Sequence, residues 1–434
     1  MNVQQLSFSN WGENIKSSST NYFQPKTEEE IITIIKTNSK IRVVGSGHSW
    51  SPLCITKGIL LNLDFYNKIL EINKETKQVR AQAGIKLWQL IKALKQHQLS
   101  LENLGSIDQQ SIAGAISTGT HGTGLNFQIL GSQIVELTLL KANGEKITIN
   151  KQSTPDLYAA SIVNLGCLGV VSEVVIQAVS AFNIADETQT IPFETVIENL
   201  NTYLTQNDYF KFWWLPPTEK TIIYQFQQTN KKTNDSRLRR LFQDRILSVL
   251  VYRFVVLLCK FFPNLTHAAN RFLTSQIHYL NRIAESENVF IVPEPPKHLE
   301  TEWAFDLKDA KAILKDYKTF VETEKLNLSF IQEIRFTKAD NFWLSSCYGR
   351  DTIWIGFYAY KHENWETNLK KFETFATKHN GRPHWGKLSN VNSSYLKQQY
   401  SNFEKFLALR AEFDPENKFL NEYLRKCFGL EKQI

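Results

Sequence analysis

Residues 41–52 read IRVVGSGHSWSP. Ile41 to Val44 is a short apolar, β-branched run of the kind that forms a buried strand. Gly45 and Gly47 then let the backbone turn tightly and approach a ligand, since glycine tolerates positive φ and carries no side chain to obstruct contact. Bare backbone N–H groups in such a turn make an anion-binding nest suited to a pyrophosphate. His48 stands in the turn, where its imidazole faces a ligand rather than the core. The spacing is not GxGxxG ahead of a helix, so no nicotinamide-type fingerprint is read here. Taken alone, the same residues also describe a tight loop with a solvated histidine.

A second glycine-rich stretch, GSIDQQSIAGAISTGTHGTG over 105–124, changes that balance. Its small residues permit close backbone packing on a flat ring, although His121 also reads as a turn histidine satisfied by local backbone. Around these two stretches strands and helices alternate. Thr27 and Glu30 form a capping-box pattern ahead of Ile31, Ile32, Ile34 and Ile35. Strands are expected over 58–64 and 78–83, and a helix carries Leu87, Leu90, Ile91 and Leu94. Asn143-Gly144 predicts a two-residue hairpin, and 165–179 a long strand. The first hundred residues thus read as α/β.

The length of 434 residues predicts two or three domains, and 42% hydrophobic with 21% charged residues is ordinary globular composition. A net charge of +7 permits attraction to anionic lipid or substrate. With no basic run on a binding module, no nucleic-acid partner is expected. Five cysteines (Cys54, Cys167, Cys259, Cys347, Cys427) have no CxxC or paired spacing, which predicts reduced thiols and no zinc or other metal site. The first residues lack the basic start and apolar core of a signal peptide, so a cytoplasmic location is expected. Residues 241–263 are apolar but interrupted by Arg245, Arg253 and Lys260, which share a sector of about 80° at helical pitch. No uncharged run reaches the ~20 residues of a membrane span. A buried amphipathic helix and a membrane-surface helix both fit.

Farther along, 210–226 is aromatic and strand-like around Pro216-Pro217, and 327–336 and 352–360 read as strands of one sheet beside a helix over 365–379. Glu333 and Arg335, two apart, point to the same strand face, where they either bind a hydroxyl-rich substrate or form a surface ion pair. His384 and Lys387 in GRPHWGK (381–387) are equally ambiguous, since such a lysine can be a snorkelling surface residue.

Read together, the chain resembles the aldonolactone oxidase branch of the vanillyl-alcohol-oxidase type, the family of L-gulono-1,4-lactone and D-arabinono-1,4-lactone oxidases with the related alditol oxidases. The resemblance rests on NYFQPKTEEE, IRVVGSGHSWSP, NLGSIDQQSIAGAISTGTHGTG, NLGCLGVV, YFKFWWLPPTEKTIIYQ, EIRFTKADNFWLSSCYGRD, GRPHWGK and FDPENKFLNEYL, in that order. It implies an α+β fold: a two-part FAD-binding domain of the PCMH type and a cap domain with a mostly antiparallel sheet and flanking helices. The implied division is 1–180 for the FAD domain, 181–380 for the cap, and 381–434 for a segment returning to the FAD domain.

By position, the resemblance makes His48 the residue bonded covalently to FAD. It assigns Val44, Gly45, Ser46, Gly47, Ser49, Gly105, Ser106, Ser111, Gly114, Thr118, Gly119, Thr120, His121 and Val171 to the cofactor. Ser106, Glu333, Arg335 and Lys387 become the catalytic, substrate-side groups. A threonine of the alditol oxidases has no clear counterpart, Phe357 and Tyr358 occupying its neighbourhood, which disfavours a polyol. Gly105, small where alanine marks a dehydrogenase relative, favours an oxidase. The function implied is oxidation of the C2 hydroxyl of an aldono-1,4-lactone by hydride transfer to the flavin, with O2 as acceptor and H2O2 as product. Three alternatives stay open: an alditol oxidase, a dehydrogenase using a quinone or cytochrome, with 241–263 as membrane contact, and a flavin-binding or structural protein without activity.

Overall fold

The computed structural model describes residues 8–17, 21–236, 250–276, 280–360 and 365–431. Among them, a short antiparallel pair (Phe8–Ser9 with Lys16–Ser17) precedes a parallel sheet of β1 (Tyr22–Phe23), β2 (Ile41–Val44) and β3 (Ile59–Asn62), ordered β1-β3-β2. Helix α1 (Glu28–Thr37) lies between β1 and β2. Its N-cap Thr27 accepts from the Glu30 N–H, and Glu30 reaches back to the N–H of Lys26. The capping pattern therefore sets this helix start, which delivers buried Ile31, Ile34 and Ile35 to the core.

An antiparallel sheet follows, made of β4 (Ile69–Asn73), β5 (Gln78–Gln82), β6 (Ile134–Leu140), β7 (Lys146–Asn150) and β8 (Val170–Gln177), in the order β7-β6-β8-β5-β4. The α/β alternation read from the sequence thus holds only for the small parallel sheet. The Asn143-Gly144 turn is not a two-residue hairpin either. Lys141 pairs with Glu145 across three residues, with only Gly144 at positive φ (+82°), because one left-handed residue closes this wider turn. The strand expected from 165 starts at Val170, since Leu165, Gly166 and Gly169 all have positive φ and spend the intervening backbone on a turn.

The rest is dominated by one antiparallel sheet: β9 (Asn183–Pro192), β10 (Tyr209–Trp214), β11 (Lys220–Thr229), β12 (Leu280–Glu285), β13 (His298–Asp306), β14 (Gln332–Thr337), β15 (Thr352–Tyr360) and β16 (Arg382–Pro383). Their order is β12-β9-β11-β10-β14-β15-β13-β16. Strand β14 is shorter than the 327–336 expected, starting at Gln332. Alternation splits the sheet into two faces. Phe212, Trp214, Trp303, Phe305, Ile334, Phe336, Ile355 and Phe357 pack under the helices Ala310–Thr323 and Trp365–Lys378. Side chains of this size contribute roughly 1.5–3 kcal/mol each when buried, so this face holds the sheet. The opposite face is polar, and it carries the candidate site.

Beyond β16 the chain runs back to the first sheets. Ile41 N donates to Lys418 O (2.9 Å), Arg42 donates to Phe419 O (2.6 Å), and Phe403, Phe406, Phe413 and Leu424 join the core built by Leu90, Ile116, Leu139 and Val174. None of the five cysteines, all among the described residues, forms a disulfide.

Candidate active site

The turn after β2 lines a cleft with about 1000 Å³ of open space. Its wall is bare backbone by necessity. A Cβ on Gly45 would stand 2.4 Å from Ser111 Oγ, and Gly47 has φ +72°. Val44, Gly45, Ser46, Gly47, His48, Ser49, Ser111, Gly114, Thr118 and Val171 line this cleft. Arg42, which sequence reasoning passed over, forms its back: buried, it donates to the carbonyls of Leu53, Leu165, Gly166 and Phe419 and ties four segments together. A charged residue in an apolar strand was the available signal. A narrow, glycine-walled cleft with exposed amide donors fits a dinucleotide's pyrophosphate.

His48 stands at the end of this cleft, its side chain 9% exposed, with Nε2 4.0 Å from Glu294 Oε1 and its ring stacked on Trp11 at 6.0 Å. Burial lowers its pKa, against the opposing pull of Glu294, which keeps the imidazole neutral and nucleophilic. The next residues are clamped to the C-terminal motif: Trp50 N donates to Gly386 O (2.8 Å) and Ser51 Oγ to Trp385 O (2.6 Å). The two sequence-distant motifs, IRVVGSGHSWSP and GRPHWGK, are one structural unit.

The polar face of the large sheet meets this unit. Register places Trp213, Glu333, Gly356 and Glu302 in one row across β10, β14, β15 and β13. Glu333 Oε1 accepts from Lys211 Nζ (2.9 Å) and Trp213 Nε1 (2.8 Å), and Oε2 from Arg335 Nη2 (2.6 Å) and Tyr358 Oη (3.3 Å). Gly356 makes room for the last contact, since a Cβ there would lie 2.7 Å from the Tyr358 ring. Burial by itself would raise the Glu333 pKa, but Arg335 and Lys211 outweigh it and hold the carboxyl well below the usual range. Arg335 is correspondingly held above its own by Glu333 despite burial. It also donates to Ser106 Oγ and to His121 O (3.2 Å).

Ser106, Glu333 and Arg335 are therefore brought together. Lys387 lies nearby with a different partner: its ammonium binds Glu300 and sits 4.3 Å over the Trp50 ring. Gly105, Ser106, Gly119, Thr120 and His121 do not line the cleft; they form the seam between it and the sheet, where Gln110 Nε2 donates to Thr120 Oγ1 (3.1 Å). His121 is buried and, as the turn reading expects, bonded to local backbone, but it has further partners. Its Nδ1 bonds Gly122 O (2.9 Å), its Nε2 faces Glu302 Oε1 (3.4 Å), and Trp354 stacks on it at 3.9 Å.

His121, Glu302 and His384 are also close enough, within 4.8 Å, to hold a metal, although none was expected from the sequence. The Gly386 N–H, however, already donates to His384 Nδ1 (3.0 Å), and burial pushes the His384 pKa down to about 3. A neutral ring with that lone pair used carries its hydrogen on Nε2 and offers a metal nothing. Lys211, Trp213, Glu300, Glu302, His298 and Tyr358 were all missed by sequence reasoning. Their signal was alternation: in HLETEWAF (298–305), His298, Glu300 and Glu302 share one face while Leu299, Trp303 and Phe305 take the other.

Residues 20–150 match the FAD binding domain family and residues 174–427 the D-arabinono-1,4-lactone oxidase family. L-gulonolactone oxidase of Mus musculus is 32% identical over 98% of both chains. L-gulono-1,4-lactone dehydrogenase of Mycobacterium tuberculosis is 31% identical over 97% of this chain and 99% of its own. The fold is that of cholesterol oxidase from B. sterolicum, with a TM-score of 0.83 over 98% of this chain and 97% of that one, at 17% identity. A cleft with bare amide donors and a buried Glu–Arg pair bonded to Ser106 and His121 are thus set in a chain that belongs to the D-arabinono-1,4-lactone oxidase family.

Proposed function

We propose that this protein is an FAD-linked oxidase of a sugar lactone, acting on the C2 hydroxyl of an aldono-1,4-lactone. The observation that carries this reading is the Ser106–Arg335–Glu333–Lys211 set, its three charged members buried, on the polar face of the large sheet. The cleft is assigned to FAD, with His48 as the point of covalent attachment, residues 1–180 and 381–434 as the FAD-binding part, and 181–380 as the cap. Bound FAD supplies the hydride acceptor and the route of the electron pair to O2. The chain's own residues hold the substrate. Glu333 receives the hydroxyl in place of its longest hydrogen bond, that from Tyr358 at 3.3 Å. Lys387 polarises the same oxygen, and Arg335, fixed by Ser106 and Glu333, stabilises developing negative charge. Tyr358, where a polyol site would carry a threonine, narrows the space and supports a ring-closed lactone over an open-chain polyol. The test is peroxide formation with L-gulono-1,4-lactone, D-arabinono-1,4-lactone and xylitol: turnover of a lactone is expected, and turnover of xylitol alone would overturn the substrate assignment. Flavin that survives acid precipitation in the wild type and is released from His48→Ala checks the covalent bond.

The partner proposed beyond substrate and O2 is an anionic lipid surface. No helix among the described residues is long and apolar enough to cross a membrane. Arg245 lies outside the described residues, but the helix Tyr252–Phe261 buries Val255, Val256 and Cys259 against the protein and presents Phe254, Leu257 and Phe261 outward. The outer face of the helix is thus apolar, where an ordinary buried amphipathic helix would be polar. Leu250, Phe262, Leu265 and Phe272 extend the patch. Arg253 and Lys260 flank it, and the 40 residues from 245 to 284 contain no carboxylate, which matches the charge of an anionic leaflet.

A further inference from the structure

Glu333 binds four donors, which fills the acceptor capacity of a carboxylate, and it is held ionised by Arg335 and Lys211. It can orient a hydroxyl and is ill suited to keep its proton. The described residues contain a better acceptor. His298 Nδ1 lies 2.9 Å from Pro296 O, and a carbonyl only accepts, so Nδ1 carries the hydrogen. That leaves the Nε2 lone pair facing Glu300, 3.8 Å from Oε2. Both side chains are buried, at 4% and 2% exposure. Neither His298 Nε2 nor Glu300 Oε1 has a hydrogen-bond partner among the described residues. A lone pair aimed at a buried carboxylate is unfavourable, and one added proton turns it into a charge-assisted hydrogen bond.

The geometry points to the His298–Glu300 pair as the acceptor of the substrate's hydroxyl proton, reached through Lys387. This rests on the lactone oxidase reading above. Lys387 connects the two: its ammonium lies on Glu300, and in the lactone oxidase reading it also polarises the substrate oxygen. One Lys387 N–H first breaks toward Glu300, whose new proton comes to rest between Glu300 and His298 Nε2, and this frees the lone pair on Lys387 Nζ. As the hydride leaves C2, the hydroxyl O–H breaks and a new N–H forms on that lone pair. The carbonyl product forms, and Lys387 is unchanged. Reduction of O2 to H2O2 then consumes the hydrogen that left as hydride together with this stored proton, so the pair returns to its starting state. Rings of Trp11, Trp50, Phe330 and Tyr358, at 4.8–5.3 Å from His298, shield the stored proton from water.

The test is proton release in one anaerobic turnover, followed with a pH-indicator dye in weak buffer while the flavin band bleaches. The wild type is expected to bleach with no matching release of acid. His298→Phe and Glu300→Gln are expected to release about one proton per flavin reduced and to bleach about 10-fold more slowly or worse. Stoichiometric release by the wild type, in step with bleaching, would overturn the proposal, and that result needs no variant to fold. Retention of the proton by both variants would overturn it equally. Failure of every lactone to bleach the flavin is a different result and counts against the lactone oxidase reading instead.

Discussion

Arg335 Nη2 donates to Glu333 Oε2 across 2.6 Å, from two positions along the same strand, and both side chains are buried. The period of two in an extended strand brings them together, and burial keeps water from loosening the pair. Replacing Glu333 by Gln keeps the shape and removes the charge that orients the substrate and anchors Arg335. Stopped-flow reduction by the lactone should slow by about 100-fold or more, with FAD retained because Glu333 does not line the cleft. Unchanged reduction kinetics would remove Glu333 from the mechanism.

Gly105 lies where a Cβ would meet Thr120 Cγ2 at 3.3 Å and His121 O at 3.4 Å. Alanine fits there with a shift of a few tenths of an ångström, so Gly105→Ala should fold. If glycine keeps the path of O2 open, reoxidation should fall by about 10-fold or more while anaerobic reduction is preserved. Those two half-reactions, timed separately, check the oxidase assignment.

His384 gives stability a pH dependence of known sign. Burial pushes its folded-state pKa down to about 3 from the ordinary 6.5. Between those values the unfolded chain binds the extra proton, so stability rises with pH. The contribution is complete above pH 6.5 and is lost progressively as pH falls toward 3, a change on the order of 5 kcal/mol. Denaturant midpoints of the wild type should decline across that window more steeply than those of His384→Gln.

Phe254 and Phe261 are each 65% exposed on the outer face of their helix. The protein should sediment with phosphatidylserine-containing vesicles and less with neutral ones, and Phe254→Glu with Phe261→Glu should abolish the binding while activity on a soluble lactone persists. No sedimentation with either vesicle would exclude the lipid contact.

Much of this was legible in the sequence, for local reasons. The strand before Gly45, the Thr27 cap and the shared face of Glu333 and Arg335 follow from neighbouring residues. Residues whose meaning depends on pairing were not legible. Lys211 is one cation in an aromatic strand until β10 comes to lie beside β14. His298 and Glu300 gain importance only when Lys387 arrives from nearly ninety positions away. The exposed apolar face of Tyr252–Phe261 was hidden because both of its faces are apolar, and composition does not say which one the protein covers.

The central claim is tested most directly by mixing the yellow protein anaerobically with L-gulono-1,4-lactone or D-arabinono-1,4-lactone, following the flavin band, and then admitting air. A lactone oxidase bleaches and regains its colour rapidly with O2. Bleaching without recovery in air would contradict the oxidase assignment, and a flavin that no lactone bleaches would contradict the account as a whole.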